Sequence, residues 1–283
     1  MRRFILGIFM ILVFTGVEAQ NILKETRNTF ATFGAKITKV VIPSTSLPDL
    51  MLRDAVSKGW RISPFEFCTM DDYNMIKEDT NYFFLLRVDG RFRRELEPKI
   101  EYLTLIKGGP EVNDGLYSSR NILTLPLQEI DDNSGTNLYL LPMYIDIIQN
   151  HIYKVQSDIS LAFKGNTIYS NKVGEIKNKN FLFSIDLLNY KIPKNDFSEL
   201  FKGDIKLVSQ AEIEDAIIEN RSNTVVPVII QPKGCFSGSY CYKLLIGTDS
   251  HELFFFRRHK ISKRVPLGFT KEDIRKISVP FQF

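Results

Sequence analysis

One pattern constrains this chain more than any other. From Ile37 to Lys107 it reads strand, helix, strand, strand, strand, and a weaker copy of that order returns from about Ile205 to Ile261. Ile37–Ile42 is β-rich and stops at Pro43, which has no N–H for a sheet ladder. Ser46 stands three residues before Asp49, with Pro48 between, as at a helix start. Leu47, Leu50, Met51, Ala55 and Val56 follow at helical spacing, and Gly59 is a stop. Trp60–Phe67, Tyr82–Val88 and Ile100–Ile106 read as strands, and Asp89-Gly90 is a hairpin turn leading into Arg91–Glu95. Met70–Asp79 reads as a short helix.

In the second copy, Ile205–Ser209 is matched to the first strand. Ser209 and Glu212 start a helix that carries Ile213, Ala216 and Ile217. Val225–Gln231, Tyr240–Gly247 and Glu252–Arg258 are strands, the last two folded around Asp249-Ser250. Pro227 and Pro64 are matched as prolines within strands, and Phe256-Arg257-Arg258 matches Phe92-Arg93-Arg94. Between the copies, Leu138, Leu141, Ile145, Ile148, Ile152, Val155 and Ile159 step by three and four, the stripe of an amphipathic helix, with Pro142 placing its regular start and Gly165 its end. The expected fold is therefore α/β (α+β): two related βαββ-type units with mixed sheets, joined by a long amphipathic helix. The expected divisions are a signal peptide over residues 1–19, a first unit with a trailing loop over 20–135, a connecting helix over 136–165 and a second unit over 166–283. Thr270 and Asp273 predict a last helix to Ile277.

The first residues set an address. Arg2 and Arg3 precede a short apolar run, Phe4–Gly16, and Val17-Glu18-Ala19 fits a cleavage site, so export with cleavage after Ala19 is expected. The run is short for a membrane span, and none is expected after the leader is removed. The destination is the periplasm, the cell surface or the medium. The leader holds two of the 37 basic residues and one of the 33 acidic ones, so the net charge of +4 becomes +3, too mild to predict nucleic acid as a partner. The three cysteines are too few for a disulfide scaffold. Cys235 and Cys241 flank a turn-rich loop and are candidates for one disulfide; Cys68 lies in an apolar strand.

Catalytic chemistry finds no motif. There are three histidines, His151, His251 and His259, and no Ser or Cys stands near any of them in a nucleophile motif. The pairs Asp71-Asp72 and Asp131-Asp132 are neighbours in sequence and do not converge on one point. No catalytic residue, cofactor or metal site is predicted. The concentrated charge is basic: Arg257, Arg258, Lys260, Lys263 and Arg264, with Arg91, Arg93 and Arg94 as their counterparts in the first copy. Arginines alternating with aromatics suit a ligand bearing anionic groups, whereas charged edge strands also arise to prevent sheet aggregation.

The segments LMLRDAVSKGWRISPFEFC, NYFFLL and YLTLIKGG resemble uncharacterised secreted proteins of Bacteroidetes-type bacteria. The βαββ units also resemble the small α/β domains of cell-envelope assembly proteins such as the amino-terminal domain of TolB. The resemblance implies fold and address, and carries no functional residue. The leading expectation is an exported, non-catalytic envelope binding or assembly protein, with an envelope protein or a glycan as partner. The alternatives are a secreted hydrolase of glycan or peptide, and a polyanion or membrane-surface binder using the Arg-bearing hairpins. The repeated elements are scaffold, so the site is expected between the copies or in the Gly108–Gly135 segment.

Overall fold

The computed structural model describes residues 20–90, 99–110, 112, 121–130, 132, 135–171, 173–191, 205–234 and 237–278. A helix over residues 20–31 (α1) leads into β1 (Ile37–Val41), α2 (Leu47–Gly59), β2 (Phe65–Cys68), α3 (Met70–Ile76), β3 (Tyr82–Gly90), β4 (Ile100–Lys107) and β5 (Asn121–Glu129). Next come α4 (Leu141–Ser157), a run of 3-10 turns, and β6 (Asn180–Phe183). The chain continues through β7 (Ile205–Leu207), α5 (Gln210–Ile218), β8 (Thr224–Ile230), β9 (Tyr240–Gly247), β10 (Leu253–Lys260) and α6 (Lys271–Ser278).

The strands form two mixed five-stranded sheets with one topology, β2-β1-β3-β4-β5 and β7-β6-β8-β9-β10. In each, the first strand lies parallel between the second and third, and the third, fourth and fifth run antiparallel. The register matches as well. Thr38 faces Phe65 and Phe83, as Phe181 faces Ile205 and Val225. Tyr102 faces Val88, as Tyr242 faces Ile230. One of the two irregularities of β5 recurs: an extra residue, Ile122 in β5 and Phe254 in β10, bulges at the same rung, while a second shift, at Leu127, is confined to β5.

This register corrects the sequence alignment of the copies. The counterpart of β1 is β6, whereas β7 (Ile205–Leu207), matched to it by sequence, is the counterpart of β2. The helix α5 therefore corresponds to α3, and both begin alike: Thr69 and Ser209 accept a hydrogen bond from the N–H of Asp72 and Glu212. The prolines are not equivalent either. Pro64 precedes β2, while Pro227 lies inside β8, beyond the last β6–β8 pair at Val225, where no ladder bond is lost. Arg91–Glu95 lies outside the described residues.

The long helix is regular from Leu141, with Pro142 in its first turn, and ends at Ser157, ahead of Gly165, because 3-10 turns take over. It packs on the first unit, against α2 and β5, where the connector reading placed it between the units. In chain order it stands after β5 as α6 stands after β10. Its stripe is buried from Leu141 to Val155.

Alternation along the strands gives each sheet two apolar faces. Phe84, Leu86 and Ile106 pack on Tyr73 and Ile76 of α3, while Phe83, Leu85, Leu103 and Leu105 face the other way, toward Leu52 and Val56 of α2 and the α4 stripe. In the second unit Phe181, Phe183, Leu245 and Phe255 pack on Ile274 and Ile277 of α6. The opposite face, with Val226, Val228, Leu244 and Ile246 under α5, belongs to the same continuous core as the first unit's α2–α4 layer.

The units meet at Tyr102 and Tyr242, whose hydroxyls lie 2.8 Å apart and whose rings meet edge to face. These residues occupy the same position of β4 and β9, so each touches its own counterpart. Polar contacts add to the seam: Asp146 to His251 at 2.7 Å, Lys154 to Glu252 at 2.9 Å and Lys233 to Asp132 at 3.0 Å. Both tyrosines are buried, so Tyr102→Phe or Tyr242→Phe is expected to cost roughly 1–1.5 kcal/mol. In urea unfolding, the double variant should cost less than the sum of the singles by about 0.5 kcal/mol or more. Simple additivity would show that the two hydroxyls do not couple the units.

Candidate functional site

The predicted basic cluster divides between two faces. Arg257 and Arg258 are neighbours on β10, so strand alternation points them apart. Arg257 turns to α6 and is held by Asp273 and Glu272, each at 3.0 Å. Arg258 stacks over the Tyr240 ring, 4.7 Å from its centroid, with one guanidinium nitrogen 3.5 Å from the Tyr242 hydroxyl. Lys260, Lys263 and Arg264 are exposed. Arg91, Arg93 and Arg94 lie outside the described residues. Cys241 is a free, buried thiol that donates to Gln231 Oε1 at 3.2 Å, and burial pushes it up to about 11. The partner proposed for it, Cys235, lies outside the described residues.

Arg257 belongs to a buried ionic cluster that sequence reasoning did not anticipate. Lys243, 1% exposed, donates to Asp273 Oδ2 at 2.8 Å and contacts His259 Nδ1 at 2.7 Å. Thr270 closes a capping box on Asp273, tying α6 to the sheet. Burial pushes the Asp273 carboxyl up, but Lys243 and Thr270 outweigh it and hold it below the ordinary carboxylate range. The first unit has an analogue at α2, where Arg87 bridges Asp49 at 2.7 Å and Glu101 at 2.5 Å. Both clusters fasten a helix start to a sheet face.

The histidines are scattered. His151 is fully buried on α4, with Nδ1 3.1 Å from the Tyr169 hydroxyl and Nε2 without a partner. His251 contacts Asp146, and His259 sits between Lys243 and the Pro266 carbonyl. Among the described residues no Ser or Cys is hydrogen-bonded to any of them, and no cluster of three or more His, Cys, Asp or Glu suits a metal.

A cleft of about 590 Å³ opens where the outer strands of the two sheets come together. The β5 bulge brings Asn121, Ile122, Leu123 and Thr124 all to its wall. Tyr102 of the neighbouring β4, with Tyr242, Phe256 and Arg258 of the second sheet, completes the lining. The segment after α4 spans the gap: Asn166 Nδ2 donates to the Thr124 carbonyl at 2.7 Å and Ser170 Oγ to the Phe256 carbonyl at 3.1 Å. Among the described residues, the strands' outer carbonyls thus gain partners that no neighbouring strand provides. Thr124 Oγ1 joins Thr104 at 2.7 Å and Asn121 at 3.1 Å. Asn166 Oδ1 is buried with no partner. Phe163 and Lys164 stand exposed at the rim. Among the described residues the lining contains no carboxylate, histidine or cysteine. Of the predicted site residues, Arg257 and Arg258 border this cleft and Lys260, Lys263 and Arg264 do not. Asn166 and Thr124 carried no motif; only their place between the copies pointed here. A second hollow, about 600 Å³, lies beside Ile185–Lys191 and Pro266–Leu267 and touches only the second unit.

Comparison of the chain with protein-family models, curated proteins and solved structures gives no match.

Two stability tests follow from the buried charges. Asp273→Ala leaves the buried Lys243 uncompensated and Arg257 with Glu272 alone, and is expected to cost roughly 3–5 kcal/mol in chemical denaturation, part of it recovered by adding Lys243→Leu. The second concerns acid. Burial, with Lys154 nearby, pushes His151 down to about 4, and burial with Lys243 lowers His259. Both contribute stability that is complete above the ordinary 6.5 and is lost as pH falls toward the folded values. Between 6.5 and about 4, at 1.36 kcal/mol per pH unit, His151 contributes at most roughly 3 kcal/mol. Burial raises Glu101, which acts in the opposite sense, so the comparison is with His151→Leu. That variant should lose much of the pH slope in this window, and an unchanged slope would count against the assignment.

Proposed function

We propose that this is an exported, non-catalytic binding protein of the cell envelope, and that its ligand seats in the cleft between the two units. One observation carries the reading. The described lining offers amide, hydroxyl, aromatic and cationic groups, and nothing that exchanges a proton near neutrality or attacks a substrate. Such a surface binds and releases. Its volume falls in the range of small-molecule and short-polymer sites. The Arg2-Arg3 leader supports the address, and the resemblance to envelope-assembly domains supports the setting. The partner is an envelope glycan or an envelope protein segment.

The hydrolase alternative loses support because no histidine lines the cleft. The alternative of a polyanion surface keeps Lys260, Lys263 and Arg264, but Arg257 is committed to Asp273 and Glu272.

The test uses the mature chain, starting at Gln20, immobilised and exposed to envelope extract. Wild type is compared with Phe163→Asp/Lys164→Glu, which changes two exposed rim residues without touching the core. The expected result is retention of one envelope component by wild type at several times the level of the variant, with that component eluting intact. Equal retention by both proteins would reject the cleft, and elution of cleaved component would reject the non-catalytic reading.

A further inference from the structure

We infer that His259 is an acid-sensitive latch: while neutral it holds the loop between β10 and α6 closed, and on taking up a proton it lets that loop open.

The tautomer of His259 follows from its partners. Its Nε2 lies 2.8 Å from the Pro266 carbonyl oxygen, which can only accept, so Nε2 carries the proton. Its Nδ1 lies 2.7 Å from Lys243 Nζ, which can only donate, so Nδ1 presents its lone pair. Both contacts exist together only for the neutral ring. A proton added at Nδ1 sets two donors and two positive charges face to face.

Among the described residues, no unengaged carboxylate faces that added charge. From β9 the ring meets Lys243 and, across its own rung, Cys241, whose thiol burial keeps neutral. From its own strand it meets Arg257, and from α6 it meets Asp273. Asp273 is fully used: Oδ2 accepts from Lys243 and twice from Thr270, and Oδ1 accepts from Arg257. Glu272 is exposed and pairs with Arg257. Beside α6, Tyr190 is a phenol that burial raises, and Asn189 is uncharged. Lys263 and Arg264 of the loop are further cations. Burial, with Lys243, accordingly holds the ring below its ordinary 6.5.

The latch gives way before the cluster does. Lys243 is 1% exposed and fixed to Asp273, which caps α6. His259 is half-buried near the end of β10, so its ring can turn into water while the strand stays paired with β9. The Pro266 carbonyl then keeps a longer contact, 3.3 Å, from Asn189 Nδ2. The part that moves is bounded. Ile261 is buried and hydrogen-bonded to Gly238 and Ser239. Gly268 is pinned by Gln231 Oε1, and at φ +103° its missing Cβ would meet the Leu187 carbonyl at 2.8 Å. Between these two anchors, Lys263, Arg264, Val265 and Pro266 are exposed. Pro266 and Leu267 form one side of the second hollow, so opening reshapes that hollow; no residue of the loop borders the cleft.

The sign follows from linkage. Above 6.5 the ring is neutral and the loop stays shut. An opened loop returns His259 to its ordinary value, so each pH unit below 6.5 favours opening by up to about tenfold, until the lower value of the closed state is passed.

The experiment is a magnetic-resonance titration of the chain from Gln20, between about pH 7.5 and about pH 5, the range in which histidine changes charge. It follows the His259 ring and the exchange of the Ser262 and Val265 amides, which bond to each other across the loop, corrected for the exchange of free amides at each pH. The ring should titrate below 6.5, and the two amides should speed up roughly tenfold with the same midpoint, while Ile274 and Ile277 of α6 keep their protection. His259→Gln can still donate to Pro266 and accept from Lys243 but carries no proton to gain, so its loop should stay protected throughout. His259→Ala lacks both contacts and should exchange fast even at the neutral end. Four results overturn the latch: a ring that titrates at or above 6.5, loop amides unmoved while the ring titrates, loop and α6 amides lost together, or His259→Gln opening in acid as wild type does.

Discussion

The hydrogen bond between Tyr102 and Tyr242 joins a residue to its own counterpart, and much of the architecture depends on that meeting. Among the described residues, each sheet ends on a strand, β5 or β10, with no further strand beside it. Such edges invite pairing with other chains. Bringing β4 and β9 together sets the two ends near each other, and the segment after α4 ties to both through Asn166 and Ser170. The gap left between them is the cleft. The cleft is thus a by-product of how two sheets with loose ends are closed against one another.

The two units share a backbone plan and have parted in chemistry. Ile122 and Phe254 bulge at the same rung, yet only the β5 bulge brings its residue to the cleft wall. Thr104 and Thr124 form a hydroxyl pair in the first unit, where Leu244 and Phe256 stand in the second. Lys243 replaces Leu103, and Arg87 is matched by Ile229, so the cations of the two clusters stand on different strands. Both cations nevertheless reach an aspartate in the first turn of a helix, Asp49 or Asp273. There the carboxylate also faces the positive end of the helix, so one contact satisfies the cation and fixes the helix.

Much of the fold was legible because it rests on local rules. The Pro142 start of α4, the Thr270–Asp273 cap of α6 and the hairpin at Asp249-Ser250 are short-range signals, and each appears where read. The alignment of the copies was not legible. The true first strand of the second unit, β6, falls at the start of the apolar run Phe181–Leu188, but its four residues pair with β8 over only two rungs, and nothing in the sequence set it ahead of Ile205–Ser209. The run Arg257–Arg264 looked like one patch because sequence proximity hides strand alternation. Buried partners such as Asp273, 16 residues from Arg257 along the chain, declare themselves only in three dimensions. The residues that border the cleft were not legible: Asn166 lies in a 3-10 turn with no periodic signature.

The continuous core has a consequence for handling the chain. Residues of α2, α4, β4 and β5 bury surface in the same apolar mass as those of α5, β8 and β9. Neither half, separated at the α4–β6 connection, keeps that surface out of water. Carrying both units in one chain makes their meeting intramolecular, so concentration does not govern it.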